Sequence, residues 1–289
     1  MIKEIFKLAS LGKYQDAAKL IRSLVDNNED LSGAHVNFAH ILFLAADWKY
    51  IEALLPNSTN TFSRSGHLLS VSAMRPINAE GKPIPWFTYP AIDFLDRIAL
   101  PSWQVFEWGS GNSTLWWASK VESVIAVEDN ESWHDEIKQQ LPQNATILKR
   151  IDKAYFHAIC DYPKEHFDAV IVDGSNRNEC TLSAIPYLKP NGILIFDNSD
   201  GPEYVESTEA MKRNGFYRID FWGLIPSYLY KNCTSIYFKD PAFLKEYQAP
   251  FHHNSSIGVS SFQAIEAIKQ MQKISLEKGD VVNQEPDGS

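Results

Sequence analysis

The 289-residue chain is short of cysteine, of basic charge and of long apolar runs, and each shortage excludes something. Its three cysteines, Cys160, Cys180 and Cys233, are odd in number and fit no metal-ligand spacing, so neither a disulfide framework nor a zinc site is expected. Asp and Glu number 36 against 27 Lys and Arg, and the net charge of −9 argues against a surface that neutralises phosphates or lies on anionic lipid. Nucleic acid is therefore not the expected partner. No apolar stretch approaches the roughly 20 residues that span a bilayer. Residues 1–7 carry charges at helical spacing in place of the apolar heart of a secretory leader, so the expected location is the cytoplasm. Apolar and aromatic side chains are plentiful, at 44% and 12%, enough for a full α/β core and an appended module.

Apolar residues recur at helical spacing in IFKLASLGKYQDAAKLIRSLV and again in AHVNFAHILFLAADWKYIEALL, which predicts helices and no strand over residues 1–55. Leu8 and Leu42, Tyr14 and Trp48, and Leu20 and Leu54 each lie 34 positions apart, the tetratricopeptide period. This module resembles one and a half such repeats, with a generic helical hairpin as the alternative. It carries no chemistry on either reading, and a protein partner is its expected use.

The polar stretch 56–66, PNSTNTFSRSG, has the composition of a linker and sets the expected domain boundary. From Trp103 onward, short β-rich runs alternate with helical ones, the pattern of parallel strands joined by crossover helices. VFEW, VIAV, AVIV and ILIF are nearly continuous apolar runs, so their strands should be buried on both faces of a doubly wound, mostly parallel sheet. Two later runs, FYRIDFWG and CTSIYF, have no helix between them and read as an antiparallel pair at one edge. This places the catalytic domain at 67–250. Residues 251–289 are polar, with one helix expected at 261–278 and a disordered tail.

Ligands of open α/β sheets bind beyond the carboxyl ends of the strands. The first strand leaves through Glu107, Gly109, Gly111 and Ser113, a turn whose glycines clear side chains from a ligand's path, with the Glu107 charge beside it. A dinucleotide loop would have a third glycine where this chain has Ser113 or Thr114, so a ligand without phosphates is the better match. The next strand ends in Glu128, about 20 residues on, where a carboxylate can accept both hydroxyls of a ribose. Asp152, after the third strand, falls near where an adenine edge would lie.

VFEWGSGNSTLWW, VIAVEDNESW, FDAVIVDGSNR and LKPNGILIFDN, in that order, resemble the motifs of class I S-adenosylmethionine-dependent methyltransferases over residues 86–239. The resemblance implies a seven-stranded sheet with its last strand antiparallel. It also implies S-adenosylmethionine as cofactor, with Gly109 and Gly111 at its methionine and ribose end and Glu128 on the ribose.

The fourth and fifth strands end in Asp173 and in Asp197 with Asn198, hard oxygen donors of the kind that hold Mg²⁺ or another divalent cation. The arrangement is similar to that of the catechol and caffeoyl-coenzyme A O-methyltransferases, in which such a metal orients the substrate hydroxyl. Those enzymes place a lysine three residues after the first aspartate, whereas this chain has Asn176 and then Arg177, which leaves the base unassigned. Asp173 is the candidate catalytic carboxylate, by the metal or by orienting the substrate directly.

Trp86, Tyr89 and Pro90 precede the first strand and are candidates to cover the cofactor, while His134, His157 and His166 are candidate bases. The histidine pair at 252 and 253 sits in the polar tail. The expected activity is O-methylation of a small-molecule or glycan hydroxyl. Its rivals are an NAD or nucleotide-sugar enzyme and a non-catalytic scaffold.

Overall fold

The computed structural model describes residues 1–29, 31, 34–54, 61–246 and 257–258. Two compact units emerge, one of Met1–Ser65 with Ile257–Ser289 and one of Gly66–Ser256. No helix among the described residues is long and apolar enough to cross a membrane.

The first unit contains α1 (Ile2–Ser10), α2 (Tyr14–Asp26), α3 (His35–Leu44), α4 (Trp48–Leu54) and the single turn α5 (Thr61–Arg64). Gly12 turns the chain between α1 and α2 at φ +71°, a conformation that costs other residues a Cβ clash. Helices α1–α4 bury apolar residues together, so Ile5, Ile21, Leu24, Phe38, Leu42, Ile51 and Leu54 share one core. Of the residues that set the 34-residue period, Leu42 and Leu54 belong to this core and Leu8, Tyr14 and Leu20 pack against it. Part of the stretch expected as a linker lies outside the described residues; its described part holds α5 followed by a turn at Ser65 and Gly66. The helix expected at 261–278 and the tail also lie outside the described residues.

The second unit begins with α6 (His67–Ala73) and α7 (Tyr89–Ile98), then alternates: β1 (Gln104–Trp108), α8 (Asn112–Ala118), β2 (Ser123–Glu128), α9 (Glu131–Lys138), β3 (Ala145–Lys149), α10 (Asp152–Phe156), β4 (Phe167–Val172), α11 (Arg177–Ala184) and β5 (Leu188–Asp197). It closes with α12 (Val205–Arg213), β6 (Tyr217–Leu224) and β7 (Lys231–Phe238). The seven strands form one sheet in the order β3-β2-β1-β4-β5-β7-β6, with β7 antiparallel to both of its neighbours. The expected mostly parallel, doubly wound seven-stranded fold is therefore present.

The four apolar runs become β1, β2, β4 and β5, the interior of the sheet, where both faces are covered. Phe106, Trp108, Phe167, Val170, Leu194 and Phe196 form the larger core on one face, and Ala126, Ile137 and Ile147 a smaller one on the other. Each large side chain so buried contributes about 1.5–3 kcal/mol relative to exposure. The strand order reverses between β1 and β4, and their carboxyl ends lead there into loops. That switch point is where an open sheet has room for a ligand.

Candidate active site

A cavity of about 750 Å³ opens over the carboxyl ends of β1, β2, β4 and β5. Its floor depends on two glycines. Gly109 has φ +92°, and a Cβ added there would stand 2.9 Å from the Asp173 carbonyl oxygen. A Cβ on Gly174 would stand 2.0 Å from the Tyr155 hydroxyl and 2.8 Å from the Gly109 nitrogen. The exits of β1 and β4 thus meet backbone to backbone, pinned by Asp173 N donating to the Trp108 carbonyl at 3.0 Å.

The β1 exit is braced from below by Glu107. Thr114 Oγ1 donates to Glu107 Oε2 at 2.5 Å and accepts from the Gly111 amide at 3.1 Å, closing the loop onto the start of α8. Glu107 Oε1 has no hydrogen-bond partner among the described residues. Burial pushes the Glu107 carboxyl up to about 8, against the lowering effect of the Ser113 and Thr114 hydroxyls. Glu107 is buried beneath the loop and is not among the residues that line the cavity.

Glu128 does stand on the wall, as do Gly109, Gly111 and Ser113. Its Oε2 accepts from Ser110 Oγ at 2.7 Å and its Oε1 from the Asn130 amide at 3.0 Å. One donor per oxygen fixes the carboxylate and leaves each oxygen with accepting capacity. Trp133, on α9, donates from Nε1 to the Ser110 carbonyl at 2.6 Å, and its ring lies 3.4 Å from where a Gly111 Cβ would be. Asp152 is off the wall: it opens α10 at φ +51°, and Tyr155 from the same helix lines the cavity instead.

At the β4 and β5 exits, Asp173, Asp197 and Asn198 do come together, but around Arg177. The guanidinium donates from Nη2 to Asp173 Oδ1 at 3.3 Å, from Nη1 to Asn198 Oδ1 at 2.9 Å and to the Asp197 carbonyl, and from Nε to the Gly174 carbonyl at 3.0 Å. The Asp197 carboxyl is engaged elsewhere, its Oδ1 accepting from Thr234 Oγ1 at 2.5 Å. Burial pushes Asp173 up to about 6, opposed by the Arg177 charge. Burial, and then the nearby Asp173, push Asp197 up as well.

These residues do not fit the expected divalent cation. A dication about 4 Å from a fixed guanidinium would meet roughly 8 kcal/mol of repulsion at an effective dielectric of 20. Two of its intended ligand oxygens already accept from that guanidinium. No group of three or more His, Cys, Asp or Glu suited to a metal occurs among the described residues.

Trp86 lines the cavity and donates from Nε1 to the Pro226 carbonyl at 2.8 Å. It stacks on Tyr228 at 5.9 Å between centroids, and Tyr228 on Tyr230 at 5.0 Å, both on the wall. Tyr89 and Pro90 do not reach the cavity, and neither do His134, His157 or His166. The pair at 252 and 253 is outside the described residues. Sequence reasoning missed Trp133, Tyr155, Gly174 and the tyrosines of the β6–β7 loop. Only Gly174, beside an aspartate at a strand end, carried a local signal.

No protein-family model matches the chain, and no curated protein matches it. Among solved structures, precorrin 8w decarboxylase from Methanobacterium thermoautotrophicum is similar at 18% identity and a TM-score of 0.42, covering 57% of this chain and 96% of that one. Precorrin-6y C5,15-methyltransferase from Geobacter metallireducens is similar at 15% identity and a TM-score of 0.43, over 52% of this chain and 87% of that one. An rRNA methylase from Streptococcus thermophilus is similar at 19% identity and a TM-score of 0.38, over 50% and 90%. Likeness at this level carries nothing about chemistry, so the functional reading rests on this chain's own residues.

Proposed function

We propose that the Gly66–Ser256 unit is an S-adenosylmethionine-dependent methyltransferase acting on a hydroxyl of a small molecule or glycan. The observation that carries the reading is Glu128, a carboxylate held by one donor per oxygen on the cavity wall, beside a loop that only Gly109 allows. Such a group suits a pair of vicinal hydroxyls, and the absence of a third loop glycine disfavours a pyrophosphate. Gly109, Gly111 and Ser113 would lie along the cofactor, and Trp133 would form a side wall. When bound, the cofactor supplies an electrophilic methyl on a sulfonium.

The chain's own part is to seat an acceptor oxygen and take its proton. Asp173 is on the wall; its Oδ1 is held by Arg177, and among the described residues no side-chain donor bonds to Oδ2. The Arg177 charge beside it favours the ionised form of this carboxyl, which can receive that proton. Trp86, Tyr228 and Tyr230 offer flat apolar faces for the body of the acceptor. The Met1–Ser65 helices, with their tetratricopeptide-like period, would serve a protein partner.

Thermal shift with S-adenosylmethionine, S-adenosylhomocysteine and NAD tests the cofactor. The first two should raise the melting temperature, by about 2.7 kcal/mol of stability at 100 times Kd. Stabilisation by NAD alone, or by none of the three, would sink the proposal.

A further inference from the structure

We infer that Arg177 is the resident cation of the acceptor side, occupying the place of a divalent metal and making the site metal-independent. The guanidinium has five N–H donors in a rigid fork. Four bonds are accounted for, to Gly174, Asp197 and Asn198 and to Asp173 Oδ1. The acceptors are oxygens only, from a carboxylate, an amide side chain and two main-chain carbonyls, drawn from the exits of β4 and β5. That is a donor set a hard cation would select.

Three further observations support the assignment. The guanidinium is nearly buried, at 14% side-chain exposure, yet it lies on the cavity wall. Its central carbon lies over the Tyr204 ring, 5.8 Å from the ring centroid. The remaining carboxyl, that of Asp197, is drawn away by Thr234, whose hydroxyl also accepts the Thr88 amide at 3.0 Å. A dication would have to displace a planar group fixed at four points and recover a carboxylate held by a short hydrogen bond.

The fifth N–H, on Nη2, has no partner among the described residues. An acceptor oxygen beside Asp173 can take it, so the positive charge a metal would offer is delivered here through a directional hydrogen bond. That use of the cation rests on the methyl-transfer reading above, whereas the occupancy of the metal position does not.

Terbium luminescence, sensitised by the protein's tryptophans and measured on the full chain, tests the occupancy. The wild type should show no saturable Tb³⁺ site that depends on Asp173. Arg177→Met removes the charge and frees the oxygens, and it should gain a saturable site at least tenfold tighter, displaced by Mg²⁺ or Ca²⁺. Adding Asp173→Asn to that variant should abolish it. Saturable Tb³⁺ binding to the wild type that Asp173→Asn removes would overturn the inference, as would a folded Arg177→Met variant that gains no site. Should Arg177→Met fail to fold by circular dichroism, the wild-type and Asp173→Asn arms decide alone. S-adenosylhomocysteine calorimetry on the same samples keeps the two readings apart, because a wild type that binds neither ligand loses the proposed cofactor and keeps the arginine assignment.

Discussion

The two halves of the cavity use carboxylates in opposite ways. At the β1 and β2 exits, Glu128 is held by a hydroxyl and an amide, both neutral, and keeps accepting capacity for a ligand. At the β4 and β5 exits, Asp173 is closed onto a guanidinium and Asp197 onto a threonine hydroxyl. A neutral cradle leaves a carboxylate its charge to spend on an incoming group. A cationic partner fixes the orientation of Asp173 and leaves its second oxygen toward the cavity. The contrast separates a half suited to binding a polyhydroxylated ligand from a half suited to orienting a reacting oxygen.

The backbone contact that joins the halves is the place to break the comparison most severely. Gly174→Ala puts a methyl where the buried Tyr155 hydroxyl and the Gly109 nitrogen already stand, so about 3 kcal/mol or more of stability should be lost in urea unfolding. A variant as stable as the wild type would mean the two exits can separate without cost.

Glu107 supplies a pH test of the β1 side. Its folded value is raised, to about 8, so its contribution is fully present below the ordinary carboxylate range and is lost as pH rises through 8. Glu107→Gln stays neutral and can still accept from Thr114. In urea unfolding its stability should exceed that of the wild type by roughly 2–4 kcal/mol at pH 9 and approach it at pH 5. Parallel pH curves for the two proteins would show that Glu107 does not titrate anomalously.

Glu128→Ala sharpens the contrast at the level of binding. Losing a charge-assisted contact should cost roughly 1.5–3 kcal/mol of S-adenosylhomocysteine affinity by calorimetry, in a protein that still folds. Unchanged affinity would remove Glu128 from the ligand site. Deleting residues 1–65 should have the smallest effect, leaving that affinity within about 0.5 kcal/mol, because every wall residue lies in the Gly66–Ser256 unit. A larger change would show that the helical unit completes the site.

Legibility in the sequence followed the range of the interactions involved. VFEW, VIAV, AVIV and ILIF are each strands because burial on both faces demands nearly continuous apolar runs, and that demand is local. Glu128 and Asp173 were legible for the same reason, as polar residues just past such runs. Asp152 and Tyr155 show the limit. Both follow β3, and only the path of α10 across the sheet decides that the tyrosine reaches the cavity and the aspartate does not. Trp133 reads on paper as one more aromatic on a helix, and its contact with Ser110 spans 23 positions.

The sequence by itself determined a mostly parallel α/β sheet, its antiparallel edge pair and the polar strand ends, since alternation and apolar runs are written residue by residue. Tertiary structure alone decided which carboxylates face the cavity. Glu107 is hidden because the loop after it folds back through Thr114. The Asp173, Asp197 and Asn198 set, which reads as a metal site when its members are taken by residue type, closes instead on Arg177, because the first turn of α11 carries a guanidinium into the space between two strand ends. Charge compensation among groups distant in sequence depends on where the backbone brings them, and residue types alone do not encode that placement.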